Sequence, residues 1–501
     1  MILAIDQGTT NTKAVLVDRE GKPGVRASVR MTVATPRSNW VEQDPEAIWA
    51  SVVKAVGECI RRSPGGRVEG IAISNQRETV VVWDRRTGRA LAPAIVWQCR
   101  RSEAICERLR AQGVEGELLA RTGLGIDTLF SASKMSWLLE NVAGLRARAD
   151  AGEVCFGTVD SWLISKLTGG GVHACDASNA SRTQLLNLAS CDWDEELLRI
   201  FGVPRIALPE VRNSSGGFGG CAGVAGLELE LEDVPIVSAL GDSHAAMAGH
   251  GSYSPGTVKA TYGTGSSLMT LLPGLADARR DVATTIAWSL GGVAQYALEG
   301  NIAMTGAGVA WVGEFLGLDE PVEGAVRLAG SVAGSEGVYF VPAMSGLGAP
   351  YWDGSAKGTI GGLTRTSRAA HLARAAVEAI AYQIGDVFEA MADAAGCDLP
   401  VLHADGAATR NEELMQFQAD VLKRPVVRSD CEDLSALGAA WFGGLALGWW
   451  GSTAELERLP QKAHSFAPGR PTGEIDRMYA GWRTAVARAR LSDVAKGDRH
   501  E

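Results

Sequence analysis

Short apolar runs separated by small polar turns dominate the beginning of the chain. Residues 1–5 and 14–17 are apolar runs of strand length, and apolar and polar positions alternate from residue 25 to residue 33, as in a half-exposed strand. Asp44-Pro45-Glu46 is a helix start, with Asp as the N-cap residue and Pro at the first helical position. Residues 70–73 form a further apolar run. The pattern predicts a strand, a hairpin, another strand, a helix and a strand.

The same order of elements recurs after residue 257. The predicted elements there are strands at residues 257–261 and 267–272, a hairpin at 284–298, a helix at Gly306–Phe315, an amphipathic helix at 372–391 and a strand at 401–404. Two copies of one supersecondary unit imply a duplicated fold with a cleft between its halves. We therefore predict an α/β protein of two domains, residues 1–250 and residues 251–501.

Composition and charge narrow the class of protein. The 501 residues are 46% hydrophobic and 21% charged, which is ordinary for a globular protein. The 61 glycines exceed the usual share and indicate tight turns and close backbone approaches. The net charge is −10, and no block is rich in Lys or Arg. The chain therefore lacks the basic surface that nucleic-acid binding requires, and we expect no nucleic-acid partner.

Cysteine usage and hydropathy bear on the compartment. Nine cysteines without a C-x-x-C pair are typical of reduced thiols in a cytosol, not of a disulfide framework or a structural zinc site. The longest nearly uncharged apolar stretch, residues 437–451, has 15 residues and is too short to span a membrane. A buried helix of small residues fits this stretch better. We expect a cytoplasmic protein without a membrane partner.

Each half opens with a hairpin whose tip is small and polar. The tips are Asp6-Gln-Gly-Thr-Thr10 and Tyr262-Gly-Thr-Gly-Ser266. Gly and Thr let backbone N–H groups and hydroxyls approach a polyphosphate closely, and a carboxylate at the end of the first strand can bind Mg²⁺ directly or through water. Either hairpin alone would be an ordinary turn, but two of them in equivalent positions of a repeat favour phosphate binding. The Walker pattern G-x-x-x-x-G-K-[ST] is absent.

Several longer motifs together resemble one protein family. They include Ala4-Ile-Asp-Gln-Gly-Thr-Thr10, Ile73-Ser-Asn-Gln-Arg-Glu-Thr79, Ala94-Ile-Val-Trp-Gln-Cys-Arg-Arg101, Gly157-Thr-Val-Asp-Ser-Trp-Leu-Ile164, Asn179-Ala-Ser-Arg-Thr183, Thr261-Tyr-Gly-Thr-Gly265 and Gly346-Leu-Gly-Ala-Pro-Tyr-Trp-Asp353. In these motifs, which extend over nearly the whole chain, it resembles the FGGY carbohydrate kinases, most of all the glycerol kinases among them. The resemblance implies two ribonuclease-H-like (actin-like ATPase) domains around a central cleft. It also implies an ATP-dependent kinase for glycerol or a related small polyol or ketose.

The resemblance assigns roles to residues of the polyol site. Asp242 would be the catalytic base, and Arg77, Glu78 and Trp97 would contact the substrate. Their chemistry suits this role, because Arg donates hydrogen bonds to hydroxyls, Glu accepts them and an indole packs on a carbon chain. From local sequence alone, other roles stay open. Asp242 could be the N-cap of a helix, Arg77 and Glu78 a solvated pair in a loop, and Trp97 a core residue.

The resemblance also implies a nucleotide site. It assigns the ATP phosphates to the first hairpin, Mg²⁺ to Asp6 and the γ-phosphate to the second hairpin. The residues implied to bind ATP are Thr9, Thr10, Asn11, Lys13, Gly263, Thr264, Ala310, Gly406, Ala407 and Asn411. Asp405-Gly406 could equally be an ordinary turn at the end of a strand.

Five positions depart from the pattern that is usual in glycerol kinases. In the polyol pocket Leu129 replaces a tyrosine, Ser243 a glutamine and Ser267 a phenylalanine; near the nucleotide, Ala407 replaces a glycine and Ala310 a glutamine. Losing two aromatic walls widens the pocket and makes it more polar, and a buried polar pocket discriminates by the hydroxyls it satisfies. A tetritol, a tetrulose or a pentulose would fill the space better than glycerol.

Two alternatives stay open at this point. One is a pentulose kinase of the xylulose or ribulose type in the same family, and the other is a non-catalytic actin-fold ATPase that serves as an interaction module. Arg77, Glu78, Trp97 and Asp242 argue against the second, because an interaction module has no use for a polyol site. We further expect a small-molecule substrate and a homodimer or homotetramer.

Overall fold

The computed structural model describes residues 1–63, 67–223 and 231–491. The strands within these residues are β1 (Ile2–Gln7), β2 (Asn11–Val17), β3 (Pro23–Arg30), β4 (Ala34–Arg37), β5 (Trp40–Gln43), β6 (Gly70–Asn75), β7 (Val81–Asp84), β8 (Ala94–Ile95), β9 (Val154–Gly157), β10 (Ala174–Asp176), β11 (Leu186–Asn187), β12 (Asp192–Trp193), β13 (Glu210–Arg212), β14 (Ile236–Gly241), β15 (Thr257–Tyr262), β16 (Ser266–Leu271), β17 (Ala283–Leu290), β18 (Val293–Ile302), β19 (Tyr339–Val341), β20 (Thr359–Gly361), β21 (Val401–Asp405), β22 (Val426–Ser429) and β23 (Ala463–Phe466). The α-helices are Pro45–Arg61, Glu103–Ala111, Glu115–Thr122, Ser131–Asn141, Leu145–Asp150, Val159–Leu167, Ala177–Ala180, Glu195–Phe201, Asp242–Gly249, Gly306–Phe315, Pro321–Ala329, Ala369–Ala395, Glu412–Leu422, Leu434–Ala446, Thr453–Leu456 and Thr472–Arg490, with 3-10 turns at Arg205–Ala207 and Ala407–Arg410.

The first large sheet has the strand order β14-β6-β1-β2-β3. β1 and β2 form the predicted antiparallel hairpin, and β6 runs parallel to β1 with Ser74 beside Asp6. β14 runs parallel to β6 on its other side. The helix Pro45–Arg61 packs against β2 and β3. As predicted, Asp44 caps this helix, because its side chain accepts the backbone N–H of Glu46.

The second large sheet repeats this arrangement. Its strand order is β17-β18-β16-β15-β21-β22-β23, with β15 and β16 as the antiparallel hairpin and β21 parallel to β15. β22 continues the parallel set, as β14 does in the first sheet. β18 takes the place of β3, and β17 is an additional strand that pairs with β18. The predicted duplicated α/β fold around a cleft is confirmed.

One helix from the second half of the chain completes the first half. The helix Leu434–Ala446 packs on β14, β6 and β1 and on the helix Asp242–Gly249. Gly438 permits this approach, since a Cβ there would collide with the Ala245 carbonyl oxygen. The predicted buried helix of small residues is confirmed, although it ends before residue 451. Within the residues that the structure describes, no helix is both long enough and apolar enough to cross a membrane.

A buried carboxylate joins two helices of the second half. Asp386 lies on the helix Ala369–Ala395, the predicted amphipathic helix. Its side chain accepts a hydrogen bond from the Tyr479 hydroxyl at 2.7 Å and another from the Trp482 indole N–H at 2.8 Å. Both donors lie on the helix Thr472–Arg490, and these bonds attach it to the helix Ala369–Ala395. Burial raises the pKa of Asp386 to about 6.

Replacing Asp386 with Asn should change how stability depends on pH. Because folding raises the pKa of Asp386, the wild-type protein takes up a proton on folding between about pH 4 and pH 6, and this group's contribution to stability falls as the pH rises through that range. Asn does not titrate. From pH 4.5 to pH 8, the variant should therefore gain about 2 kcal/mol in free energy of unfolding relative to wild type.

Urea denaturation at both pH values measures this difference. The exposed Asp398, replaced by Asn, is the matched control and should show the same stability difference from wild type at both pH values. A difference between Asp386→Asn and wild type that does not change with pH would contradict the prediction.

Candidate active site

A cluster of buried charges lies where β6, β14 and β18 approach one another. Arg77 follows β6, Asp242 follows β14 and Glu299 lies within β18. The Arg77 Nε donates to Asp242 Oδ1 at 3.1 Å, and its Nη1 donates to Glu299 Oε1 at 2.5 Å. Arg77 is only 8% exposed and Glu299 is fully buried. One guanidinium therefore joins carboxylates from the two halves of the chain.

A second arginine closes the cluster on its inner side. Arg182 is fully buried; its Nε donates to Glu78 Oε1 at 2.8 Å, and its Nη1 lies 2.9 Å from Glu299 Oε2. Burial alone would raise the pKa of Glu299, but the Arg182 and Arg77 guanidiniums outweigh burial and hold this pKa well below its usual range. Glu78 has a φ of 59°, a left-handed conformation that is uncommon for a residue with a side chain. Arg77 and Glu78 are thus both buried, each in ion pairs with other residues, rather than a solvated loop pair.

Asp242 is held by one of its two carboxylate oxygens. Oδ1 accepts the Arg77 Nε–H and also the backbone N–H of Ser243 at 2.7 Å. Oδ2 accepts no hydrogen bond from the residues that the structure describes, and the side chain is 38% exposed. Gly241, not Asp242, occupies the N-cap position of the following helix. The arrangement leaves a carboxylate oxygen available to a proton donor in the cleft.

Two of the departures from the glycerol kinase pattern belong to this cluster. Lys259 Nζ donates to Ser243 Oγ at 3.2 Å, Ser243 Oγ donates to Ser267 Oγ at 3.1 Å, and Ser267 Oγ donates to Glu299 Oε1 at 3.0 Å. Burial lowers the pKa of Lys259. The third departure, Leu129, is half-buried. The serines thus form a small polar wall connected to Glu299.

One lysine, Lys134, is hydrogen-bonded to the backbone of both Leu129 and Glu78. Lys134 Nζ donates to the carbonyl oxygens of both residues, at 2.5 Å to Leu129 and 3.3 Å to Glu78. Burial lowers the pKa of Lys134 to about 8. The loop that carries Leu129 is therefore fixed beside the buried charges.

Trp97 is hydrogen-bonded to the first hairpin. Its indole Nε1–H donates to Thr9 Oγ1 at 3.0 Å. The Thr9 carbonyl oxygen in turn accepts Gln43 Nε2–H at 2.8 Å. Trp97 itself is half-buried rather than a core residue.

The tip of the first hairpin offers donors and one carboxylate. Thr10 and Asn11 are exposed there. Asp6, at the end of β1, accepts Ser74 Oγ–H at 3.0 Å, and burial raises its pKa to about 6. A bound cation would stabilise such a carboxylate in its ionised form. Within the described residues no group of three or more His, Cys, Asp or Glu side chains is arranged to hold a metal ion. This donor set fits Mg²⁺ held mainly by phosphate oxygens and water, with Asp6 as the protein carboxylate.

Lys13 is paired with acidic residues from the second half. Its Nζ donates to Asp433 Oδ1 at 2.9 Å and to the Glu432 carbonyl oxygen at 3.1 Å. Arg26 Nη1 donates to the other oxygen of Asp433 at 3.1 Å. The charge of Lys13, which the family resemblance assigns to the ATP phosphates, is therefore already neutralised by Asp433 in this structure. Asp433 also pairs with a second cation, Arg26.

The second hairpin packs against the start of the helix Gly306–Phe315. Gly306 N–H donates to the Gly263 carbonyl oxygen at 3.1 Å, and Ala307 N–H donates to that of Thr264 at 3.0 Å. These bonds fix the hairpin on the helix Gly306–Phe315, which carries Ala310.

Gly406 completes the contact with the second hairpin. It has a φ of 97°, and a Cβ there would collide with the Tyr262 backbone. β21 ends at Asp405, so the strand-ending turn is also present. Ala407 begins the 3-10 turn that follows, and Asn411 Oδ1 caps the next helix by accepting the Leu414 N–H at 3.1 Å.

The two hairpins and the buried charges thus converge on one cleft, but several residues of this site were not predicted. Glu299, Arg182, Lys259 and Asp433 are absent from the sequence-based set. One signal could have found Glu299 and Lys259: each is the single charged residue of its strand, and a buried charge requires a partner.

Comparison with known proteins gives consistent matches over the whole chain. A model of the N-terminal domain of the FGGY family of carbohydrate kinases matches residues 1–249, and a model of the C-terminal domain of that family matches residues 258–447. A protein named apulose kinase from Pectobacterium atrosepticum is 47% identical, with 99% of each chain covered. A glycerol kinase from Thermus brockianus is 48% identical, with 98% of each chain covered. The crystal structure of Plasmodium falciparum glycerol kinase with ADP superimposes with a TM-score of 0.90 at 31% identity, covering 97% of this chain and 98% of that one.

Replacing Arg182 with Met should destabilise the fold strongly. Glu78 and Glu299 would lose the cation they share inside the protein, and breaking a buried ion pair costs about 3–5 kcal/mol. Urea denaturation measures the loss in free energy of unfolding. Arg199→Met, which removes an exposed pair with Glu196, is the control and should change stability little. A loss no larger than that of the control would contradict the prediction.

Proposed function

The chain belongs to the FGGY family of carbohydrate kinases, and on that premise we propose that it transfers the γ-phosphate of ATP to a hydroxyl of glycerol or a related small polyol or ketose, with Asp242 as general base. One observation carries this proposal. Asp242 is fixed through Oδ1 by Arg77 and the Ser243 N–H, while Oδ2 accepts no hydrogen bond from the described part of the chain and the side chain is 38% exposed. Such a carboxylate is suited to accept the proton of a substrate hydroxyl.

The proposed reaction assigns one task to each side chain. Arg77 donates to a substrate hydroxyl, Glu78 accepts from another, and the Trp97 ring packs on the carbon chain. Asp242 Oδ2 takes the proton of the reacting hydroxyl as its oxygen attacks the γ-phosphorus in line. The bond to the β-phosphate oxygen breaks, and ADP leaves.

The hairpins supply the electrostatic part of this proposal. Backbone N–H groups and hydroxyls of Thr9, Thr10 and Asn11 on one side, and of Gly263 and Thr264 on the other, would face the phosphates. Mg²⁺ held at Asp6 would neutralise phosphate charge. Lys13 would contribute to phosphate binding after leaving Asp433, and Arg26 would then remain as the cation on that carboxylate. Ala310, Gly406, Ala407 and Asn411 would border the nucleotide.

The polyol pocket favours a substrate larger than glycerol. Ser243 and Ser267 are small and polar, and Leu129 brings no hydroxyl. Ser243 and Ser267 are hydrogen-bonded in a chain that ends at Glu299. Their hydroxyls would be available to hydrogen-bond the additional hydroxyls of a larger substrate. Relatives named apulose kinase and glycerol kinase are almost equally similar to this chain, which is consistent with either a ketose or glycerol. A pentulose, tetritol or tetrulose is our preferred substrate class.

We also propose a cytoplasmic enzyme that forms a homodimer or homotetramer. All nine cysteines lie in the described residues as free thiols, most of them buried. This state suits a reducing compartment.

Asp242→Asn should abolish most of the turnover. The amide cannot accept the hydroxyl proton, so kcat should fall by about 100-fold or more, while ATP still binds with wild-type affinity. A coupled assay of ADP release gives kcat, and calorimetric titration gives the ATP affinity. Asp319→Asn, at an exposed position, is the matched control. Near-normal kcat in Asp242→Asn would exclude Asp242 as the base.

A substrate panel tests the proposed pocket. Erythritol, a tetrulose or a pentulose such as apulose, xylulose or ribulose should give a kcat/KM at least about tenfold above that of glycerol, because glycerol leaves part of the polar pocket unfilled. Leu129→Tyr narrows the pocket and should shift the preference toward glycerol. A clear glycerol preference in the wild-type protein would contradict the substrate class. ATP hydrolysis without any phosphorylated product would instead favour an interaction ATPase.

A further inference from the structure

We propose that Glu299 is a positioning residue, which fixes the Arg77 guanidinium so that Asp242 is held by one oxygen only. This inference rests on the proposed function, because it concerns the proton acceptor of that reaction. Glu299 acts through Arg77: among the described residues its hydrogen bonds and ion pairs are with Arg77, Ser267 and Arg182, and none is with Asp242.

The first step of the argument is the geometry of the guanidinium. An arginine fork is built to pair with a single carboxylate through two parallel N–H···O bonds. Arg77 divides its fork instead, giving Nε to Asp242 at 3.1 Å and Nη1 to Glu299 at 2.5 Å. The shorter of the two bonds goes to Glu299. A fork turned fully toward Asp242 would occupy both carboxylate oxygens and leave no acceptor for a hydroxyl proton.

The second step is what holds Glu299 in place. Its Oε1 also accepts the Ser267 hydroxyl at 3.0 Å, and its Oε2 faces Arg182 at 2.9 Å. The residue is fully buried on β18. Three partners on two oxygens leave the carboxylate little freedom, so the position of Arg77 is set from the second half of the chain.

The third step is the balance of charge around Arg77. The anions that act on it are Glu299, Glu78 and Asp242. His244 is buried beside it and stays neutral, because burial lowers its pKa well below the usual range. If Glu299 lost its charge, Asp242 would be the anion that remains hydrogen-bonded to Arg77. The charge of Asp242 also acts on the pKa values of Asp6 and Lys259, and neither of these residues can replace the second bond of Arg77.

The test compares two substitutions of Glu299. Glu299→Gln keeps the shape of the side chain and removes its charge, so Arg77 should turn toward Asp242. We expect kcat to fall by about 100-fold. Because Arg77 also contacts the polyol in the proposed reaction, KM for the best polyol or ketose should rise, while KM for ATP stays at the wild-type value. Glu299→Asp keeps the charge but shortens its reach, and should give a smaller loss of kcat.

The control is a buried glutamate with the same kind of partner elsewhere. Glu378, on the helix Ala369–Ala395, accepts from Arg374 at 2.9 Å and is as deeply buried. Glu378→Gln should leave kcat and both KM values unchanged once the folded fraction is measured by urea denaturation. A purely structural role of Glu299 would reduce the amount of active protein and change neither KM.

The outcomes separate this inference from the proposed function. A folded Glu299→Gln protein with wild-type kcat and polyol KM would overturn the positioning role. If Glu299→Gln does not fold, Glu299→Asp decides the question, and wild-type kinetics in that variant would overturn the role equally. A wild-type protein that phosphorylates nothing in the substrate panel would overturn the proposed function, and this inference with it.

Discussion

The arrangement of the cleft depends on a carboxylate of the second sheet that neutralises two arginines of the first half. Arg77 and Arg182 are both buried, and Glu299 on β18 pairs with each of them. Removing charges from water is expensive, and such a cluster persists only if every member keeps its partners. These ion pairs therefore join the two halves of the chain. Asp242, the Ser243–Ser267 wall and Glu78 all take their positions from these ion pairs.

A protein of net charge −10 must prepare an anion site without a basic surface. In this chain the cations near the hairpins are each paired with, or buried beside, a neighbouring side chain. Lys13 is paired with Asp433, Arg26 shares that carboxylate, and Lys259 is buried beside Ser243. The proposed phosphate site would therefore rely first on backbone N–H groups and hydroxyls of the hairpins, which carry no net charge. A lysine held by an acidic partner becomes available only to a ligand that competes with that partner.

Local sequence patterns predicted the elements of the fold, because strands, caps and amphipathic helices depend on neighbouring residues. The Asp44 cap, both hairpins and the helix Gly306–Phe315 were all evident in this way. The pairing of Lys13 with Asp433 was not, since the two residues are separated by most of the chain. Motif resemblance proposed Arg77 and Asp242 but not Glu299, whose importance appears only when β18 brings it to Arg77. A charged residue in a strand predicted to be buried indicates that it has a partner. Which residue that partner is becomes known only from the fold.

The helix Leu434–Ala446 has a consequence for the order in which the protein is made. The apolar face formed by β14, β6 and β1 is covered by this helix, yet the helix is synthesised long after those strands. During translation the first lobe therefore stays incomplete until residue 446 has emerged from the ribosome. An exposed sheet face in a nascent chain invites association with other chains. This face is covered only after roughly nine-tenths of the polypeptide has been made.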